Sequence, residues 1–187
     1  MKKALVLLSG GQDSTTCLFW AKKKFHYIEA IGFDYCQRHI RELKYANKIC
    51  EKEGIKYSII KLDDIFSNSA LITQDENLNI KHPTNNELPN SFVPGRNLIF
   101  LSIASAKAIN NDIFDIVIGV CETDYSGYPD CRKIFIDSIE KSINLAHDKK
   151  INIHTPLMKL DKAKIWKLAK DLDCLDVIIN DTITDYN

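Results

Sequence analysis

The chain has 187 residues, of which 45% are hydrophobic and 27% charged, enough for one substantial core but not for a second full domain. Its 25 basic and 25 acidic residues cancel to a formal net charge of zero, so it lacks the Lys and Arg excess with which a general nucleic-acid binder meets phosphates. Two N-terminal lysines precede an apolar run of only five residues, 4–8, which reads as neither signal peptide nor membrane span; a cytoplasmic protein is expected.

In chain order, residues 3–8 predict a strand and 13–24 a helix. Ile28 to Asp34 reads as a second strand. Residues 38–53 read as a helix with apolar positions Ile40, Leu43, Ala46, Ile49 and Cys50, stopped by Gly54. Tyr57 to Lys61 is a third strand. The stretch 73–95 is rich in Asn and Pro and poor in periodicity, which suits a lid or partner-binding loop. Asn97 to Ile109 reads as a helix, Phe114 to Val120 as a strand, and Cys131 to Leu145 as a helix. Ile151 to Ile153 follows as a short strand and Asp161 to Leu172 as the last helix. Alternation of strands and helices with continuous apolar strands implies an α/β fold, a parallel sheet with helices on both faces. Ligands of such sheets sit beyond the C-terminal strand ends, here 9–15, 34–39, 119–132 and 154–162, joined by 90–97.

Six cysteines, at 17, 36, 50, 121, 131 and 174, include no C-x-x-C pair, so they are expected to be reduced, with several buried as small apolar residues. No zinc-ligand set is apparent.

Ser9-Gly10-Gly11-Gln12-Asp13-Ser14-Thr15 lies between the first strand and its helix. Glycines there let backbone N–H groups approach an anion, and the helix N-terminus adds unpaired donors and the positive end of its dipole. Hydroxyls of Ser9, Ser14 and Thr15 can add hydrogen bonds. Asp13 is expected to cap the helix or to serve on the Mg²⁺ side. The Lys-Ser/Thr ending of a Walker loop is absent, so terminal phosphoryl transfer is not implied.

The other strand ends carry further candidates. Tyr35, in Asp34-Tyr35-Cys36-Gln37-Arg38-His39, could wall a purine, although a plain polar loop reads equally well. Arg96 follows Pro94-Gly95 at a helix start and suits bidentate contact with oxyanions. Residues 119–132 hold three carboxylates, two tyrosines and one arginine; carboxylates can accept from a guanine-like edge and tyrosines can stack on a heteroaromatic ring. One of these carboxylates could instead hold Mg²⁺. Lys162, in the first turn of the last helix, opposes the helix dipole and makes better sense facing an anion such as pyrophosphate.

Ser9 to Thr15 resembles the PP-loop of the N-type ATP pyrophosphatases. With Phe33-Asp34-Tyr35, Gln37-Arg38-His39, FVPGRN at 92–97, GVCETDYSGYPDCR at 119–132 and TPLM at 155–158 followed by DKA at 161–163, the whole chain is similar to the 7-cyano-7-deazaguanine synthases, the QueC or ExsB family. The resemblance implies a single PP-loop domain over 1–187, of the adenine nucleotide alpha hydrolase-like fold. It implies a reaction as well: the carboxylate of 7-carboxy-7-deazaguanine attacks ATP to give an acyl-adenylate and pyrophosphate, ammonia displaces AMP, and a second activation removes water to leave the nitrile. Catalytic roles then fall to Asp13, Arg96 and Lys162. ATP contacts fall to Leu8, Ser9, Gly10, Gly11, Gln12, Asp13, Ser14, Thr15, Thr16, Cys17, Leu18 and Asp34. Substrate contacts fall to Gln37, Arg38, His39, Arg96, Asn97, Glu122, Thr123, Asp124, Tyr128, Asp130 and Arg132.

The implied cofactors are ATP and Mg²⁺, and the implied partners are the two small substrates and a second copy in a homodimer, with no membrane and no direct nucleic-acid contact. The family has Gly in place of Cys36. It also carries a four-cysteine zinc site whose first ligand falls at Asp185, with the other three past residue 187. The expectation is therefore a chain without the zinc subdomain and with no assigned metal ligand, either diverged or altered at its C-terminus. Structural zinc can contribute about 10–16 kcal/mol to apparent stability, so its loss would demand compensation from oligomer contacts or another protein's surface. Two other functions are compatible with these residues: a nucleotide-binding subunit without turnover, and a ligase attaching a deazapurine to a macromolecule.

Overall fold

Ala4, Leu5 and Val6 of the first apolar run are fully excluded from solvent, because their strand lies at the centre of a parallel sheet. In chain order, a computed structural model places β1 (Lys3–Leu7), α1 (Gln12–Lys24), β2 (Tyr27–Asp34), α2 (Ile40–Glu53) and β3 (Lys56–Lys61), then a hairpin of β4 (Lys81–His82) and β5 (Asn85–Pro89). There follow α3 (Arg96–Asn110), β6 (Asp115–Val117), a 3-10 turn (Pro129–Cys131), α4 (Lys133–His147), β7 (Asn152–His154), α5 (Lys162–Asp171) and α6 (Leu175–Asp181). The structure describes residues 1–35, 40–62, 81–82, 85–89, 93–123 and 128–182.

The main sheet runs β3-β2-β1-β6-β7, with β1 pairing Leu5 to Glu29 on one side and to Ile116 on the other. Alternation along β1 divides the core. Leu5 and Leu7 join Ile31, Leu101, Ala104, Ile136, Ile139 and Ile143 beneath α3 and α4. Ala4 and Val6 join Leu18, Ala46, Ile49, Ile165 and Ile178 beneath α1, α2, α5 and α6. Both faces are thus covered, as the unbroken apolar strands require. Burying one such Leu or Ile contributes about 1.5–3 kcal/mol. The chain leaves β1 towards β2 and later returns on the other side of β1 to make β6, so the strand order reverses between them. In open α/β sheets that reversal opens the ligand crevice.

The doubly covered parallel sheet and its main elements agree with expectation. Gly54 ends α2 with φ +65°; Gly54 N donates to Glu51 O and Ile55 N to Cys50 O, which satisfies carbonyls of the last turn. Four elements differ. β6 is three residues long rather than seven, and Ile118 N bonds His154 O just beyond it. Two residues past β6, Gly119 runs close against α1: a Cβ there would stand 3.2 Å from the Asp13 carbonyl carbon and the Ser14 nitrogen. α4 starts at Lys133 because Pro129–Cys131 takes a tighter turn. α6 was not anticipated: Val177, Ile178 and Ile179 are weak helix formers, and tertiary packing of Ile178 holds them. Within 73–95, β4 and β5 pair antiparallel, through backbone bonds that leave no apolar period to read. Its remaining residues up to Phe92 lie outside the described structure, as does the expected lid. Among the described residues, no helix is long and apolar enough to cross a membrane.

Candidate active site at the sheet switch point

The cradle begins where β1 ends. Gly10 has φ +98°, and a Cβ there would lie 2.1 Å from the Glu42 carbonyl oxygen; only glycine lets α2 pack against this turn. Gly11 is the N-cap of α1 and carries no side chain to cap it, so first-turn N–H groups face the crevice. Hydroxyls organise the bend: Ser9 Oγ and Ser14 Oγ are 3.0 Å apart, and Ser14 Oγ donates to Gly11 O at 3.1 Å. Asp13 does not cap the helix. It sits in the first turn, and its Oδ2 accepts from Lys162 Nζ at 3.0 Å. The other helix, α5, is capped by Asp161, which accepts from Lys164 N at 2.8 Å.

Three buried polar atoms of this bend have no hydrogen-bond partner among the described residues: Gln12 Nε2, Asp13 Oδ1 and Thr15 Oγ1. A buried unpaired polar group costs about 1–3 kcal/mol, and three such atoms gather at this one bend. Their chemistry, two donors and an anionic oxygen, suits a polyphosphate accompanied by a cation. Asp13 Oδ1 is the one of the three that a cation would meet.

The remaining candidates fall into three groups. Thr16 Oγ1 donates to Gln12 O at 2.9 Å, and Leu8, Cys17 and Leu18 are core residues whose backbone alone can meet a nucleotide. Leu8 O accepts from Tyr57 Oη at 3.1 Å. Asp34 closes β2, its carbonyl accepting from Leu62 N. Tyr35 packs 5.6 Å from Phe100, which itself stacks on Phe33 at 4.1 Å, so that aromatic wall belongs to α3 and β2 together.

Across the crevice, Glu122 N bonds Met158 O, and Thr123 Oγ1 and Cys121 Sγ both donate to Leu160 O, at 2.7 and 3.0 Å. These bonds tie the strand end after β6 to the segment after β7. Arg96 opens α3, and Arg132 caps α4, its carbonyl accepting from Phe135 N and Ile136 N. Asn97 and Asp130 are buried and bonded to one another, and Tyr128 is half-buried beside them. Gln37, Arg38, His39 and Asp124 lie outside the described residues, as do Cys36 and Asp185. Sequence reasoning named Thr123 as a substrate contact but missed its bond to Leu160 O, and it missed the contact of Gly119 with α1. A glycine directly after an apolar strand was the available signal for the second.

The family model described as "Queuosine biosynthesis protein QueC" matches residues 3–187. This chain belongs to the QueC family. A relative from Bacillus subtilis (strain 168), 7-cyano-7-deazaguanine synthase, is 48% identical over 188 aligned positions, covering all of this chain and 84% of that protein. Among solved structures, a 4-thiouridine synthetase in complex with RNA and bound ATP aligns with TM-score 0.63 and 19% identity over 97% of this chain and 44% of that one. A predicted subunit of a tRNA methyltransferase from Methanocaldococcus jannaschii aligns with TM-score 0.57 and 20% identity over 91% of this chain and 75% of that one. At those identities the two structures establish the shared PP-loop fold of this QueC-family chain. Among the described residues, no group of three or more His, Cys, Asp or Glu could hold a metal ion.

Proposed function

We propose that this protein converts 7-carboxy-7-deazaguanine and ammonia into 7-cyano-7-deazaguanine at the expense of ATP. The observation that carries the reading is the cluster of partnerless buried atoms, Gln12 Nε2, Asp13 Oδ1 and Thr15 Oγ1, at an uncapped helix start on the switch point. The curated relatives named for this reaction support it. They do not favour a binding subunit or a macromolecular ligase.

In this reading, amides at the start of α1 and the Ser14 and Thr15 hydroxyls hold the β- and γ-phosphates, leaving the α-phosphorus open to the substrate carboxylate. Lys162, held at Asp13, faces the pyrophosphate as charge grows on it. Mg²⁺ bound at Asp13 Oδ1 would neutralise phosphate charge. Arg96, at the mouth of α3, would orient the carboxylate, and Glu122, Tyr128 and Arg132 with their neighbours would recognise the deazaguanine. AMP is the leaving group for ammonia, and activation of the resulting amide oxygen by a second ATP permits loss of water. No covalent enzyme intermediate is needed, so the rate would come from positioning and electrostatics. A cytoplasmic homodimer completes the reading; Ile134 and Leu145, exposed at 74% and 85% on α4, offer apolar surface for the second copy.

Incubation with ATP, Mg²⁺, 7-carboxy-7-deazaguanine and ammonium, followed by mass spectrometry, tests the reaction. AMP, pyrophosphate and nitrile are expected. ADP as the sole nucleotide product would refute it.

A further inference from the structure

Asn97 and Asp130 lie 33 residues apart yet are joined by two hydrogen bonds, both donated by Asn97. Asp130 Oδ2 accepts from Asn97 N at 3.0 Å, and Asn97 Nδ2 donates to Asp130 O at 3.1 Å and to Cys131 Sγ at 3.4 Å. The two residues are only 5% and 7% exposed, so each bond is formed away from competing water.

The joint answers a local need. The N-cap of α3 is Gly95, with φ 69° and ψ 13° and no side chain to satisfy the first-turn donors. A helix start normally recruits Ser, Thr, Asp or Asn at that position. Here the carboxylate comes instead from the 3-10 turn Pro129–Cys131, and its charge also complements the positive end of α3. One residue before Asn97 stands Arg96, whose N–H is tied to Val93 O. Either side of Asp130 stand Tyr128 and Arg132, joined to the turn by Cys131 N to Tyr128 O and by Arg132 N to Pro129 O.

We infer that Asp130 is a positioning residue: through Asn97 it sets the register between Arg96 and the Tyr128–Arg132 turn, and so fixes how the deazaguanine carboxylate is presented, without itself touching substrate. The inference rests on the reading of the reaction above and replaces direct substrate contact for Asp130 and Asn97. The ATP cradle hangs on α1 and α5, which the joint does not involve.

The test combines steady-state kinetics with amide hydrogen exchange on the unliganded protein, for Asp130→Asn, Asp130→Ala, Asn97→Ala and the double variant N97A/D130A. In Asp130→Ala, KM for 7-carboxy-7-deazaguanine is expected to rise about tenfold or more while KM for ATP stays within twofold. Exchange in residues 96–101 is expected to accelerate at least tenfold, with residues 12–24 unchanged. Asp130→Asn keeps a carbonyl acceptor and should fall between wild type and Asp130→Ala. The double variant should be no worse than the poorer single one, because both substitutions open one joint. Unchanged exchange at 96–101, additive single effects, or equal rises in both KM values would overturn the inference. Nitrile formation by the wild type is read separately, so its absence strikes the reaction and not the joint, which exchange alone reports.

Discussion

Lys162 Nζ and Asp13 Oδ2, 149 positions apart in the chain, meet at 3.0 Å across the starts of α5 and α1. The side chains are 53% and 23% exposed, and a pair so wet contributes only about 0–1 kcal/mol to stability. In the proposed reading its value lies in aiming an ammonium at the phosphates of ATP. Lys162→Met should therefore shift Tm by less than about 4 °C yet lower kcat for pyrophosphate release roughly 100-fold or more. Melting curves and a pyrophosphate assay on the same preparation check both halves; a large Tm loss would make the pair structural.

Gly10→Ala and Gly95→Ala separate backbone strain from steric conflict. Both glycines have positive φ, but a Cβ at Gly10 meets Glu42 O at 2.1 Å whereas one at Gly95 meets nothing within 4 Å. Gly95→Ala should cost about 1–2 kcal/mol, the ordinary left-handed penalty. Gly10→Ala should exceed about 4 kcal/mol, because α2 backbone must move. Urea denaturation midpoints at constant m-value distinguish them.

What the sequence could show depended on where the signal resides. β1, β2 and the tight turn after β1 were legible because apolar runs and the Gly10-Gly11 pair encode local geometry. α6 was not, since its three β-branched residues are held helical by packing against other helices. Asn97 and Asp130 were expected to contact substrate through resemblance, but their mutual bond depends on how α3 and the 3-10 turn meet, and no spacing along one segment records that. The hairpin within 73–95 was missed for a related reason: backbone pairing leaves little trace in side-chain pattern.

Asp181 ties α6 to α2. Its carboxylate accepts from Lys52 at 2.7 Å and pairs with Lys48 at 3.1 Å, and the hydrogen bond from Lys52, then that from Lys48, hold its pKa below the usual carboxylate value despite burial. A carboxyl whose folded pKa is depressed contributes stability that is fully present above its unfolded pKa, about 3.9, and is lost as pH falls through the folded value. Asp181→Asn should thus be less stable than wild type at pH 7, with the gap shrinking as pH drops below about 4. Paired urea titrations at pH 7 and in acid measure it; a gap independent of pH would remove the charge from the explanation.

Burial pushes the thiol of Cys50 up to about 12 and that of Cys174 to about 11, and raises Cys17 well above its ordinary value. Thiolate is the reactive form, so none of the three should alkylate in the folded protein at pH 8. Peptide mapping after iodoacetamide should find these positions unmodified until denaturant is added. Modification of Cys17 without denaturant would mean that α1 leaves the sheet readily.

Thr15 offers the cleanest way to separate binding from folding. It is fully buried, and its Oγ1 has no partner among the described residues, so in the free protein its hydroxyl is a cost and not a contribution. Replacing a partnered hydroxyl by a methyl group loses a hydrogen bond worth about 1 kcal/mol; replacing an orphaned one removes a desolvation cost of about 1–3 kcal/mol. Thr15→Val preserves shape and should leave the unliganded protein as stable as wild type or more so. If Oγ1 binds a phosphate oxygen of ATP, the same substitution should weaken the nucleotide, reducing the thermal shift that saturating ATP and Mg²⁺ give the wild type. The informative result is the opposition of the two effects: higher Tm without ligand, smaller gain with it. A lower Tm in the free protein together with an intact ATP shift would place the hydroxyl in the fold and remove it from the cradle.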